Sequence, residues 1–217
     1  MARVDVLIPT YRRPAALAAT LATLIGQTFR DFRVIVSDQT EDHDPLSAGE
    51  VLAALRVLRA RGNDARTHTH LPRRGIAEHR QFLLSQASAP YGLFLDDDVL
   101  LEPTLLSRLV AVIGEEGCSF VGSALIGLSF IDDVRPEEQR IEFWDGRVQP
   151  EVVAPATPQW QRYKLHNASN LWHVQKRLGL EPESQRIYRV AWVGGCVLYD
   201  LARLREVGGF SFHRDLP

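Results

Sequence analysis

The chain has 217 residues, 45% of them hydrophobic and 24% charged, with a formal net charge of −2. That composition suits a folded chain with a sizeable core; it excludes a disordered segment and gives no electrostatic basis for binding nucleic acid or an anionic membrane. The longest uncharged stretch, residues 117–131, is too short and too rich in Gly and Ser to cross a bilayer, so no integral membrane segment is expected.

Along the chain, short β-branched runs alternate with helical periodicity, the pattern of repeated βα units on a parallel sheet. Residues 3–9 predict a first strand. Pro14 suits a helix start, and Leu17, Leu21, Leu24 and Ile25 form one apolar stripe. Residues 32–37 predict a second strand, followed by a turn-rich segment and a helix using Val51, Leu55 and Leu58. A weaker third strand covers 66–71, a helix runs from about Ile76 to Ala87, and a fourth strand spans Tyr91–Leu95. Pro103 opens the next helix, and 119–125 predict a fifth strand. Between 127 and 189 prolines break the pattern, leaving one helix over about 167–178. Residues 190–199 predict a last strand and 201–207 a last helix. The expectation is an α/β fold: a mostly parallel, Rossmann-like central sheet flanked by helices on both faces. Two cysteines, Cys118 and Cys196, without a paired framework fit a cytoplasmic setting, attachment to the inner face of a membrane included.

Asp96, Asp97 and Asp98 follow the fourth strand directly, and ligands of open α/β sheets gather at the carboxyl ends of strands. On extended chain, residues i and i+2 face the same way, about 6–7 Å apart at a rise of about 3.3 Å per residue. Asp96 and Asp98 are therefore placed to face one ligand while Asp97 faces another way. Hard carboxylate oxygens suit Mg2+ or Mn2+, which also bind ligand phosphates. The other reading is a solvated turn that caps the helix near Pro103. At the end of the first strand, Pro9, Thr10 and Tyr11 offer polar groups and a ring that suits a base; the alternative is an N-cap with Tyr11 as packing. Asp38, ending the second strand, is either an acceptor for a base N–H or an Asx-type turn residue. Arg73, Arg74 and Gly75 open the third helix, where an arginine would neutralise phosphate or brace the acidic loop.

Residues 6–14 (VLIPTYRRP), Gln27-Thr28, 34–38 (VIVSD), 74–80 (RGIAEHR), 93–98 (LFLDDD), 194–199 (GGCVLY) and 206–210 (EVGGF) together carry a family resemblance. The chain resembles the family-2 glycosyltransferases of the GT-A fold. The resemblance implies that Pro9, Thr10, Tyr11 and Asp38 hold the base, usually uracil, that Arg80 supports the nucleotide site, and that Asp96 serves the ribose side. Asp97 is counted with these donor-binding residues. Asp98, with Asp96, would hold Mn2+ or Mg2+ against the diphosphate of a nucleoside-diphosphate sugar. Transfer would go, with inversion, to a saccharide or glycoconjugate acceptor. Trp192, Gly194 and Gly195 are the acceptor-side candidates. Residues 1–126 are expected to form the donor-binding half and 127–217 the acceptor-side half.

Two departures stand out. Ser37 occupies the first of two positions where the family often has acids. The family's catalytic base lies in an acidic pair shortly after Gly-Gly-Phe, and here Asp215 is the nearby acid, in a different setting. The expectation is a portion of a longer enzyme whose general base lies beyond Pro217. A nucleotidyltransferase and a dehydrogenase are disfavoured, because Pro9-Thr10-Tyr11 is not the glycine-rich loop either needs. A non-catalytic nucleotide- or partner-binding protein on the same sheet is the remaining alternative. The histidine pairs His68/His70 and His166/His173 lack zinc-site spacing and are read as packing or surface residues.

Overall fold

Strand β1 (Val4–Thr10) is buried along its whole length, as a strand paired on both sides and covered on both faces must be. Parallel neighbours flank it: β2 (Phe32–Asp38) on one side and β4 (Tyr91–Leu95) on the other, with β3 (Ala65–Thr69) parallel to β2 beyond. Strand β6 (Cys196–Asp200) runs antiparallel to β4, and β5 (Phe120–Gly122) antiparallel to β6. The order is β3-β2-β1-β4-β6-β5, the expected mostly parallel sheet, in a computed structural model that describes residues 2–181 and 184–210.

Side chains alternate across the sheet. Leu7, Ile35 and Phe94 face Leu83 and Leu84 of α3 (Ile76–Gln86) and Leu201, which opens α6 (Leu201–Glu206). Val6, Ile8, Val34 and Val36 face the other way and are fully buried. Helices α1 (Pro14–Ile25), α2 (Gly49–Ala60) and α4 (Leu105–Glu116) add further core side chains, with Leu17, Leu21, Val51, Leu55 and Leu106 buried.

Several expected elements are shorter than periodicity alone suggests. Pairing of β6 with β4 begins at Cys196, because Gly195 takes a φ of +72°, a left-handed conformation that breaks an extended ladder. Strand β5 stops at Gly122, opposite Val197, near the point where its partner begins. The third strand ends at Thr69 rather than 71. The helix expected over 167–178 is α5 (Asn170–Leu178), since Asn167 is extended and Ala168 has a φ of +50°. His166 thus ends a 3-10 helix (Pro158–His166) and shares no helix face with His173.

Packing divides the chain into two units, 1–122 with 195–217 and 123–194. Functional halves split at 126/127 do not coincide with this division, because the chain leaves the sheet after Gly122 and rejoins it at Gly195. The second unit has a small core of Leu165, Leu171 and Val174 with Ile141 and Tyr188. Beside it, Arg162 lies between Glu142 (2.9 Å) and Glu151 (2.8 Å). Among the described residues no helix is long and apolar enough to cross a membrane. Asp215 lies outside the described residues.

Gln27 ties the first unit together beneath the acidic loop. Fully buried, it donates to the Glu102 carbonyl (2.8 Å) and accepts from the Leu106 amide (3.1 Å), while the Thr28 amide donates to Pro103 (2.8 Å). Replacing Gln27 with Ala strands the Leu106 N–H and leaves the Glu102 carbonyl with the Leu105 amide alone (3.1 Å), so we expect a loss of about 2 kcal/mol. The measurement is urea unfolding: the midpoint should fall with the slope unchanged.

Candidate functional site

Thr10, Asp38 and Asp96 stand at the carboxyl ends of three adjacent parallel strands, with Thr10 in register with Asp38. The chain turns at Asp97 and Asp98, just past the end of β4, and the three acids still differ in burial as expected. The Asp97 side chain turns inward, 7% exposed, while those of Asp96 and Asp98 remain 42% and 45% exposed. Thr10 Oγ1 donates to Asp97 Oδ2 at 2.6 Å. Arg13 reaches two of the acids at once, its Nη1 3.1 Å from Asp97 Oδ1 and its Nη2 2.6 Å from Asp98 Oδ2. Arg80 Nη2 donates to Asp96 Oδ1 at 3.0 Å, and the Asp96 amide donates to the Gly195 carbonyl at 2.8 Å.

Burial pushes the Asp97 carboxyl above its usual range, against which the Thr10 hydroxyl and Arg13 hold its charged form. Arg13 is itself raised, first by its hydrogen bond to Asp98 and then by Asp97. Asp96 Oδ2 and Asp98 Oδ1 have no protein hydrogen bond among the described residues. No group of three or more His, Cys, Asp or Glu able to hold a metal occurs there either. A pair of hard carboxylates on the open side fits Mg2+ or Mn2+, which takes one or two carboxylates and completes its shell with phosphate oxygens and water.

Asp38 has the geometry of the Asx-type turn, one of the two readings its sequence position left open. It is 1% exposed, and its two oxygens accept from the Thr40 amide and the Thr40 hydroxyl, each at 2.9 Å. Burial pushes this carboxyl up, and the Thr40 bonds oppose the shift. Thr40 Oγ1 also accepts the Arg12 amide at 2.9 Å, holding Arg12 at a φ of +57°. Backbone in that region persists only where its surroundings impose it. Pro9 is buried in β1. The Tyr11 ring lies between the guanidinium groups of Arg73, 4.1 Å away, and Arg12, 5.3 Å away.

Beside this turn, Glu78 accepts from Gln39 Nε2 (3.3 Å) and pairs with His70 Nε2 (2.8 Å), while His70 stacks on Phe82. His79 is 3% exposed, and burial, then His70, lower its pKa to about 4. Of the acceptor-side candidates, Gly195 belongs to the first unit and accepts from Asp96. Trp192 and Gly194 belong to the second. Trp192 is 46% exposed and packs over Gly194, where a Cβ would meet the ring at 2.8 Å. Its other neighbour is the His166 ring, 5.6 Å away.

Sequence reasoning left out Arg13, Thr40 and the Gln39–Glu78–His70 chain. Arg13 had a signal: it is the last residue before Pro14 at a strand end. Thr40 had one too, two residues after an Asp that suits an Asx turn. Glu78 and His70 had none, because their pairing depends on how α3 lies on the sheet.

Residues 5–176 match the family model described as glycosyl transferase family 2. Over 129 residues the chain is 29% identical to a GalNAc(5)-diNAcBac-PP-undecaprenol beta-1,3-glucosyltransferase of Campylobacter jejuni, covering 58% of this chain and 39% of that protein. Among solved structures, mannosyltransferase PcManGT of Pyrobaculum calidifontis, in complex with GDP-Man and Mn2+, is similar with a TM-score of 0.57 at 18% identity. The match covers 96% of this chain and 47% of that one. TarS of S. aureus in complex with UDP-GlcNAc is similar with a TM-score of 0.53 at 18% identity, covering 95% and 47%. The chain thus spans less than half the length of these relatives, and the structural likeness establishes the GT-A fold.

Because His79 stays uncharged in the fold down to about pH 4 while the unfolded chain protonates near 6.5, its contribution is complete above 6.5. It is lost as the pH falls from 6.5 to 4, by about 3 kcal/mol for a shift of this size. Thermal melts of the chain and of His79→Gln should therefore converge between about pH 7 and about pH 4.5. A gap that stays constant over that range contradicts the assignment.

Proposed function

The chain belongs to glycosyl transferase family 2, and on that premise we propose that it carries the donor site of a metal-dependent, inverting glycosyltransferase that uses a nucleoside-diphosphate sugar, UDP-linked by preference. One observation carries the reading: Asp96 and Asp98 stand half-exposed on either side of buried Asp97, each with one oxygen braced by an arginine. The base sits by Pro9, Thr10, Tyr11 and the Asp38 turn. In this reading Asp38 acts through the turn it builds at Thr40. Arg80 and Asp96 support the ribose side, and Asp97 keeps Thr10 in place. Asp98, with Asp96, holds Mn2+ or Mg2+, which when bound stabilises the charge that grows on the departing diphosphate.

In the transfer, an acceptor hydroxyl attacks the anomeric carbon from the face opposite the diphosphate. The carbon–oxygen bond to the diphosphate breaks, and the anomeric configuration inverts. A carboxylate takes the hydroxyl proton as general base; we place it outside the described residues. Residues 1–126 serve the donor and 127–217 the acceptor, with Trp192, Gly194 and Gly195 on the acceptor side. The named substrate of the Campylobacter jejuni relative suggests an acceptor carried on a polyprenyl diphosphate, and hence work at the inner face of a membrane.

The test is thermal melting of the 217-residue chain with UDP, GDP or dTDP, each with Mn2+ or with EDTA, alongside Asp98→Ala. A ligand at about 100 times its Kd adds about 2.7 kcal/mol, several degrees for a domain of this size. We expect one nucleotide to raise the melting temperature in Mn2+, little rise in EDTA, and none for Asp98→Ala. A rise that ignores EDTA argues for a metal-independent site. No rise with any nucleotide favours a binding protein whose partner lies elsewhere.

A further inference from the structure

Among the described residues, Arg13 is the one cation that touches both the buried and one of the exposed acids of the loop. Its two terminal nitrogens are split between Asp97 Oδ1, at 3.1 Å, and Asp98 Oδ2, at 2.6 Å. The side chain is 50% exposed, so its position is held by these pairs and not by burial. Asp97 is a fixed anchor, because it is buried and accepts the Thr10 hydroxyl at 2.6 Å. Asp98 is the less constrained one, being 45% exposed with no other hydrogen bond among the described residues. The shorter of the two contacts is therefore made to the acid with more freedom to leave.

We propose that Arg13 is a built-in competitor of the divalent metal for Asp98, pivoting on Asp97 so that the metal displaces it and frees its outer nitrogen for the diphosphate. The inference rests on the metal-dependent donor reading and adds a coupling to it. A cation that ligates Asp98 through Oδ2 must break the pair with Arg13, and one on Oδ1 shares that carboxylate's charge with the guanidinium; either way binding of the metal alone is weakened. Displaced from Asp98, Arg13 would keep its Nη1 contact to Asp97 and have Nη2 free to donate to a phosphate oxygen. Metal and diphosphate then favour each other's binding, and by linkage the factor is the same in both directions. Arg80 does not take this part. It braces Asp96 alone and has no buried acid to pivot on.

The measurement is Mn2+ titration of the whole chain, following the loss of the free-ion electron paramagnetic resonance signal. It is run with Mn2+ alone and then with the nucleotide selected by the melts. For Arg13→Gln we expect Mn2+ alone to bind about threefold to tenfold more tightly than to the unaltered chain, the range for losing a partly screened competing pair. Nucleotide should then tighten it further by a smaller factor than in the unaltered chain. Arg12→Gln is the control for charge at a distance, since Arg12 pairs with Asp42 at 2.9 Å. It should change Mn2+ affinity less than about twofold, as a non-contacting charge screened by solvent does. Binding to Arg13→Gln that is no tighter than to the unaltered chain, or an equal gain in Arg12→Gln, overturns the competition while leaving the metal site in place. If neither chain binds Mn2+ with any of the three nucleotides, the metal reading itself fails and the inference with it.

Discussion

The hydrogen bond from Thr10 to Asp97 is the contact on which the site depends. A carboxylate out of water is costly unless its lone pairs are used, and this one has a hydroxyl from the end of β1 and a guanidinium from the turn beyond it. The two residues are 87 positions apart in sequence and end neighbouring strands. Their bond fixes the end of β1 against the end of β4. With Asp97 committed inward, alternation leaves Asp96 and Asp98 no choice but to face outward. The buried acid thereby determines where the exposed ones point.

A second set of contacts holds the same loop from behind. Gln27 takes both a carbonyl and an amide of the 102–106 segment, and the Gly195 carbonyl takes the Asp96 amide. Both are backbone contacts, so they fix the path of the loop whatever side chains it carries. The Gln27-Thr28 and Gly194-Gly195 pairs lie far from the acids in sequence, yet each places one hydrogen bond or more on the segment around them.

Much of this was legible in the sequence. The short β-branched runs mark the parallel strands, because they depend only on local chain geometry, and Asp97 lies buried between exposed Asp96 and Asp98 as their spacing suggests, although the chain turns there. What stayed hidden depends on contacts between distant segments. Asp38 reads as either a base acceptor or a turn residue until Thr40 is seen to take both its oxygens. Arg13 reads only as part of the turn after β1 until β4 brings two acids to it. The predicted strands over 119–125 and 190–199 overran for the same kind of reason: their apolar content continues where the pairing partner does not.

The left-handed turn at Gly195 has an evolutionary consequence. Residues 123–194 leave the sheet from β5 and return at the start of β6, and those two strands are hydrogen-bonded neighbours, with Gly122 opposite Val197. Exit and entry points are thus set by the sheet alone. A segment spliced between two such fixed points can be lengthened, shortened or replaced without moving the strands that carry Thr10 and Asp96. Descendants of one ancestral sheet can in this way exchange a single inserted segment while the ends of β1 and β4 keep their places.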